Sequence, residues 1–129
     1  MSPHTVAWLN SFIFTVMPCT NSPWLYVNSL PGIYMFCQIC QIDAGLVWTS
    51  VYIGQSGNVG ERLRYHERWN EAVGRGAWHV HVLFMKNRSY RHVYERFFIS
   101  LLDPPLNKHH RNGRYAPQLG PAVSWDVCG

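Results

Sequence analysis

The chain has 129 residues, 47% of them hydrophobic and 15% aromatic, which suits one globular domain and is too little for two comfortable ones. This composition excludes a disordered or low-complexity chain, and no apolar segment is long enough to span a bilayer. The formal net charge of +4 is placed unevenly: all eleven Lys and Arg residues fall between Arg62 and Arg114, against only four acids there, a net of +7 that suits a polyanion as well as an ordinary solvated surface.

Residues 1–31 carry no Lys, Arg, Asp or Glu. The apolar stretch Ala7 to Met17 makes a poor signal peptide, because it lacks a basic lead and is interrupted by Asn10 and Ser11. The expectation is a poorly ordered extension, or sequence upstream of a start at Met17. Gly32 to Ile42 then reads as a strand, Asp43-Ala44-Gly45 as a turn and Val47 to Gly54 as a second strand. Gln55-Ser56-Gly57-Asn58 breaks the pattern, and Asn58 with Glu61 three residues on predicts a capped helix from about Val59 to Ala72.

Gly74 and Gly76 close that helix. Ala77 to Lys86 alternates, with Trp78, Val80, Val82 and Phe84 on one face, and predicts a half-buried third strand. Ser89 is the expected cap of a second helix running to about Leu102, with an apolar stripe of Val93, Tyr94, Phe97, Phe98, Leu101 and Leu102. Pro104 and Pro105 end it. The tail beyond Asn107 reads as loop, with a docked strand near Val123 to Val127. The predicted fold is α+β, a small three-stranded mixed or antiparallel sheet flanked by helices in the order β-β-α-β-α. It occupies residues 32–108, between the 1–31 extension and a 109–129 tail.

Cys19, Cys37, Cys40 and Cys128 do not make a convincing disulfide framework, so reduced thiols are expected. Cys37 and Cys40 lie three apart on a strand, pointing to opposite faces as buried small hydrophobes. Arg62 and His66 are four apart on the predicted first helix and project to the side of Val59 and Leu63. A guanidinium directed at a sheet needs a partner or must snorkel at the core edge. Glu95 borders the apolar stripe of the second helix; on spacing alone a salt bridge to Arg91 or Arg96 accounts for it.

Gly32-Ile33-Tyr34 and Tyr52-Ile53-Gly54 resemble the two signatures of the GIY-YIG nuclease family. The match owes its specificity to the residues that succeed them in order: Asn58-Val59, Arg62-Leu63, His66, Glu95 and Pro104-Pro105-Leu106-Asn107. The resemblance spans Gly32 to about Lys108 and implies cleavage of DNA phosphodiesters with one divalent metal ion, Mg²⁺ or Mn²⁺. It implies that Glu95 binds the metal and that Arg62 holds the scissile phosphate. Tyr34 and Tyr52 would be the paired tyrosines, one of them activating water; His66 takes a position held by His or Tyr, and Asn107 supports the site. The link from Met35 to Val51 is longer than is common in the family.

A phosphodiester repels nucleophiles by its own charge, so this chemistry needs a cation, a fixed Arg and a proton acceptor for water. Which of Tyr34, Tyr52 and His66 accepts the proton is open on spacing. Arg64, Arg68, Arg75, Lys108, Arg111 and Arg114 lie outside that set and are expected to contact phosphates without reading sequence. A homodimer or a partner protein is an expected source of specificity, in a cytoplasmic or nucleoid-associated setting without a membrane. Two other readings are a catalytically weak DNA-binding module of the same fold and a zinc protein using Cys and the pairs His79/His81 and His109/His110.

Overall fold

A computed structural model describes residues 4–107; the tail, with Lys108, His109, His110, Arg111, Arg114 and the expected strand near Val123 to Val127, lies outside the described residues. The long hairpin forms as the sequence predicts: β3 (Gly32–Ile42) and β4 (Gly45–Ser56) pair antiparallel from Gly32↔Ser56 to Ile42↔Gly45. The pairing slips by one residue at Phe36/Cys37, a bulge that adds twist. This hairpin absorbs the long link between the two glycine-tyrosine signatures.

The sheet has five strands where the sequence predicts three. Residues 4–18, expected to be an extension outside the core, instead form β1 (His4–Trp8) and β2 (Phe12–Pro18). Leu9 and Asn10 turn the chain between them at φ of 55° and 59°. β2 pairs with β5 (His79–Phe84), giving the all-antiparallel order β1-β2-β5-β3-β4. The physical reason is burial: Trp8, Phe14, Val16 and Met17 are at most 1% exposed, so this uncharged segment is core. Phe12 and Phe14 meet Phe98 edge-on at centroid distances of 5.0 and 5.6 Å.

Alternation along β3 divides the core. Ile33, Met35 and Cys37 pack with Phe98, Ile99 and Leu102 of the long helix on one face, while Tyr34 and Phe36 pack with Val59, Leu63, Ala72 and Leu106 on the other. Because both faces are covered, β5 is not half-buried: His81 is fully buried, and Trp8 donates its indole N–H to His81 Nδ1 at 3.0 Å. Trp78 and Phe84, expected on the inner face, are 62% and 46% exposed at the strand's ends. Cys37 and Cys40 join the same cluster instead of opposite faces. Cys19 and Cys37 are free thiols, whereas Cys40 is disulfide-bonded, so the expectation of reduced cysteines fails at that residue.

The predicted first helix is two short ones, α1 (Val59–Arg64) and α2 (Trp69–Gly74). Asn58 caps α1 as expected, its side chain accepting from the Glu61 N–H at 3.1 Å. The break arises where the Arg68 N–H turns to His66 Nδ1 at 3.0 Å, a side-chain acceptor that competes with the helical carbonyl.

The last helix, α3 (Arg88–Leu102), is capped by Asn87 in place of the expected Ser89, with Tyr90 N–H donating to the Asn87 side chain at 2.9 Å. Its buried row is Arg91, Phe98, Ile99 and Leu102, and half-buried Glu95 falls on it by spacing. Val93 and Phe97 of the expected stripe are 61% and 40% exposed, so the helix is rotated from the orientation its large apolar residues suggest. No helix among the described residues is long and apolar enough to cross a membrane.

Candidate active site

Tyr34 and Tyr52 come from neighbouring strands, with ring centroids 6.5 Å apart. The two signature glycines make room for this pair's surroundings. A Cβ at Gly54 would strike the Tyr34 ring and hydroxyl, and one at Gly32 would lie 2.6 Å from the Leu83 carbonyl oxygen of β5. The Tyr34 ring therefore crosses the β4 backbone where only hydrogen stands in its way.

His66 completes a triangle of rings, 5.5 Å from Tyr34 and 5.0 Å from Tyr52 by centroids. Its Nε2 lies 2.9 Å from the Tyr34 hydroxyl. Since Nδ1 accepts the Arg68 N–H, the neutral ring carries its proton on Nε2 and donates it to the Tyr34 oxygen. Burial first, then the Arg62 charge, lowers the His66 pKa to about 4, so this neutral form prevails at neutral pH.

That depression makes a testable stability statement. An unfolded His titrates near 6.5, so as pH falls from about 6.5 towards 4 the unfolded chain takes up a proton that the folded chain refuses. Stability should fall across that window, by up to about 3 kcal/mol from this residue, and level off below it. Urea unfolding of wild type and His66→Gln at pH 7.5 and 5 checks this: the variant should lose less stability on acidification. Equal losses would mean that His66 does not hold its ring neutral in the fold.

Arg62 faces the same tyrosines from α1, and its positive charge opposes the rise that burial imposes on both phenols. Tyr34 is 1% exposed, and its pKa is raised far above the usual phenol value by burial; Tyr52, half-buried, is raised for the same first cause. Both are protonated at neutral pH. Arg62 has the partner that a guanidinium directed at the sheet needs: Nη1 and Nη2 donate to Glu67 Oε2 and Oε1, both at 2.8 Å. That hydrogen-bonded pairing lowers the Glu67 pKa to about 2. Sequence reasoning does not single out Glu67. Its spacing of five from Arg62 suits no regular helix, and the two meet only because the helix breaks between them.

Glu95 contributes from α3. Its negative charge raises the pKa of both tyrosines, which places it within electrostatic reach of them. The salt bridge expected from spacing does not form with Arg91. That guanidinium donates instead to Gln55 Oε1 at 3.1 Å and to the Met85 and Lys86 carbonyls at 3.3 and 2.7 Å. Glu95 makes no side-chain hydrogen bond or salt bridge with any described residue, and burial raises its pKa, with Arg96 opposing. No cluster of three or more His, Cys, Asp or Glu side chains that could hold a metal is found among the described residues, so a divalent cation here would rest on the half-buried Glu95 carboxylate and keep several waters.

Asn107 is buried next to the second signature. It accepts from the Ile53 N–H and donates to the Ile53 carbonyl, both at 2.8 Å, fastening the chain after α3 to the centre of the second signature. Of the expected phosphate contacts, Arg68 lies in reach of Tyr52 and His66 but pairs with Glu71 at 2.7 Å. Arg64 is exposed over the Tyr65 ring at 5.4 Å, and Arg75 is exposed beyond α2. His81 is engaged with Trp8, and both His79 and His81 lie edge-on to Trp48. Comparisons of this chain with family models, with curated proteins and with solved structures give no match.

Proposed function

We propose that this chain is a divalent-metal-dependent DNA endonuclease of the GIY-YIG type. The observation that carries the reading is convergence: Tyr34 from β3, Tyr52 from β4, Arg62 from α1 and His66 from the α1–α2 break gather around one point, with Glu95 in charge reach from α3. A phosphodiester can use an Arg at its oxygens, a carboxylate for a cation and hydroxyl donors for water, and these groups come here from distant parts of the sequence.

Glu95 would hold a divalent cation, which would supply Lewis-acid stabilisation to phosphoryl oxygens. Arg62 offers a planar fork to two of those oxygens, where charge builds in the transition state. His66 cannot accept a proton directly, because its Nε2 already carries one and its Nδ1 is occupied. It fixes the Tyr34 hydroxyl, whose own proton then points away from the ring and is available to donate. Tyr52 is the less buried phenol, but burial raises its pKa too, so like Tyr34 it is protonated. It serves as a hydrogen-bond donor that orients water or a phosphate oxygen, while the proton of the attacking water would leave to solvent. Asn107 acts by positioning the backbone that carries Tyr52.

The test is incubation of purified protein with duplex, nicked, flap and branched DNA. The proposal expects cleavage of at least one form with Mg²⁺ or Mn²⁺ and none after chelation. Cutting that persists in chelator would refute the metal requirement.

A further inference from the structure

Arg62 meets Glu67 in two parallel hydrogen bonds of 2.8 Å, from each terminal guanidinium nitrogen to a different carboxylate oxygen. This is the fork-on-fork arrangement that a guanidinium also makes with two phosphate oxygens. While Glu67 occupies it, one N–H of each Nη is committed, and that two-pronged edge is closed to a phosphate. We propose that Glu67 is a resident occupant of the phosphate fork: a substrate phosphate must displace its carboxylate, which makes Glu67 a specificity-determining residue that discourages casual binding of isolated phosphates. The inference rests on the nuclease reading above.

Three features of the pair suit exchange better than permanent support. The Glu67 side chain is 62% exposed and that of Arg62 34%, so the carboxylate can swing into water without leaving a buried charge behind. Glu67 sits in the break between α1 and α2, outside either helix, where few backbone bonds oppose its movement. An ion pair this exposed is weak, and a polyanion making several contacts can replace it. Acid cannot open the fork near neutral pH, since Glu67 stays ionised down to about 2. The opening agent is therefore another anion.

The full-length chain provides the test in EDTA, where no metal supports cutting. Glu67→Gln should bind a short DNA duplex about three- to tenfold tighter than wild type. Glu61→Gln, which removes the same charge from the exposed start of α1, controls for the overall field and should give a smaller gain. In an Arg62→Ala background the advantage of Glu67→Gln over Glu61→Gln should vanish. A second readout does not depend on DNA: the Arg62 guanidinium NMR resonance, titrated with inorganic pyrophosphate, should shift at several-fold lower concentration in Glu67→Gln. Tighter pyrophosphate binding at Arg62 together with a wild-type protein that neither binds nor cuts DNA would uphold the exchange and refute the nuclease reading. Glu67→Gln that binds duplex and pyrophosphate no better than Glu61→Gln would overturn the proposal. If turnover with Mg²⁺ also fell, the role of Glu67 would be to position Arg62.

Discussion

A chain shortened to begin at Met17 should fail to fold. The truncation removes Trp8, Phe14 and Val16, all fully buried, and with them β1 and most of β2. Loss of a large aromatic from a core costs about 3–5 kcal/mol, so Trp8 and Phe14 alone approach the whole stability of an ordinary domain, about 5–15 kcal/mol. The cut also strips β5 of its outer partner and leaves its edge unpaired. Circular dichroism with thermal melting is sufficient to decide: the shortened chain should show no cooperative transition, and Trp8→Ala should melt well below wild type. A shortened chain that melts cooperatively at the wild-type temperature would show that the first two strands are dispensable.

The second large effect is expected at Arg62. Its replacement by Ala should lower turnover on saturating DNA by roughly 10²–10³-fold, the size typical of a single donor aimed at developing charge. The contrasting variant is Arg91→Ala. Arg91 binds Gln55 and two backbone carbonyls, so its loss removes charge-assisted hydrogen bonds to part-buried acceptors and should cost about 1–3 kcal/mol of stability, with the cutting rate at a permissive temperature largely kept. If Arg62 were only the partner of Glu67, Arg62→Ala would change melting slightly and leave turnover intact. Comparing rates and melting temperatures for the two variants separates these outcomes.

The parts of the fold legible in the sequence are those set by local chemistry. The hairpin follows from β-branched and aromatic runs flanking Asp43-Ala44-Gly45, and the start of α1 follows from the Asn58 cap. The N-terminal strands escape such a reading because their lack of charge looks like a lack of structure. Phe12 to Met17 is strongly β-prone, and Asn10-Ser11 before it is turn chemistry, but pairing with β5, over 60 residues away, is a tertiary event that no local pattern announces. The orientation of α3 is hidden for a related reason: β1 and β2 add Trp8, Phe12 and Phe14 to the surface it packs on, so its buried row includes Arg91 and passes through Glu95.

The site divides in the same way. Tyr34, Tyr52, Arg62, His66 and Glu95 are recognisable by type and order, and the structure brings the rings of Tyr34, Tyr52 and His66 together, with the charges of Arg62 and Glu95 acting on both phenols. Their internal wiring is not legible. The tautomer of His66 depends on a backbone N–H freed by a helix break, and the partnership of Arg62 with Glu67 depends on that same break. Asn107 illustrates the remainder: a side chain that binds the backbone of Ile53 is visible only once the chain after α3 is placed against β4.

The most direct test of the nuclease account is the cleavage rate of Glu95→Gln with Mg²⁺, measured beside wild type on whichever DNA form wild type cuts, with duplex binding recorded on the same samples. Gln keeps the size of the side chain and removes the negative charge that a hard cation requires. The account predicts a collapse of cleavage while melting temperature and DNA binding persist, binding tightening slightly as one negative charge leaves the site. Glu95→Gln that cuts at the wild-type rate, in protein freed of contaminating nuclease, would contradict it, as would wild-type protein that binds DNA and never cuts.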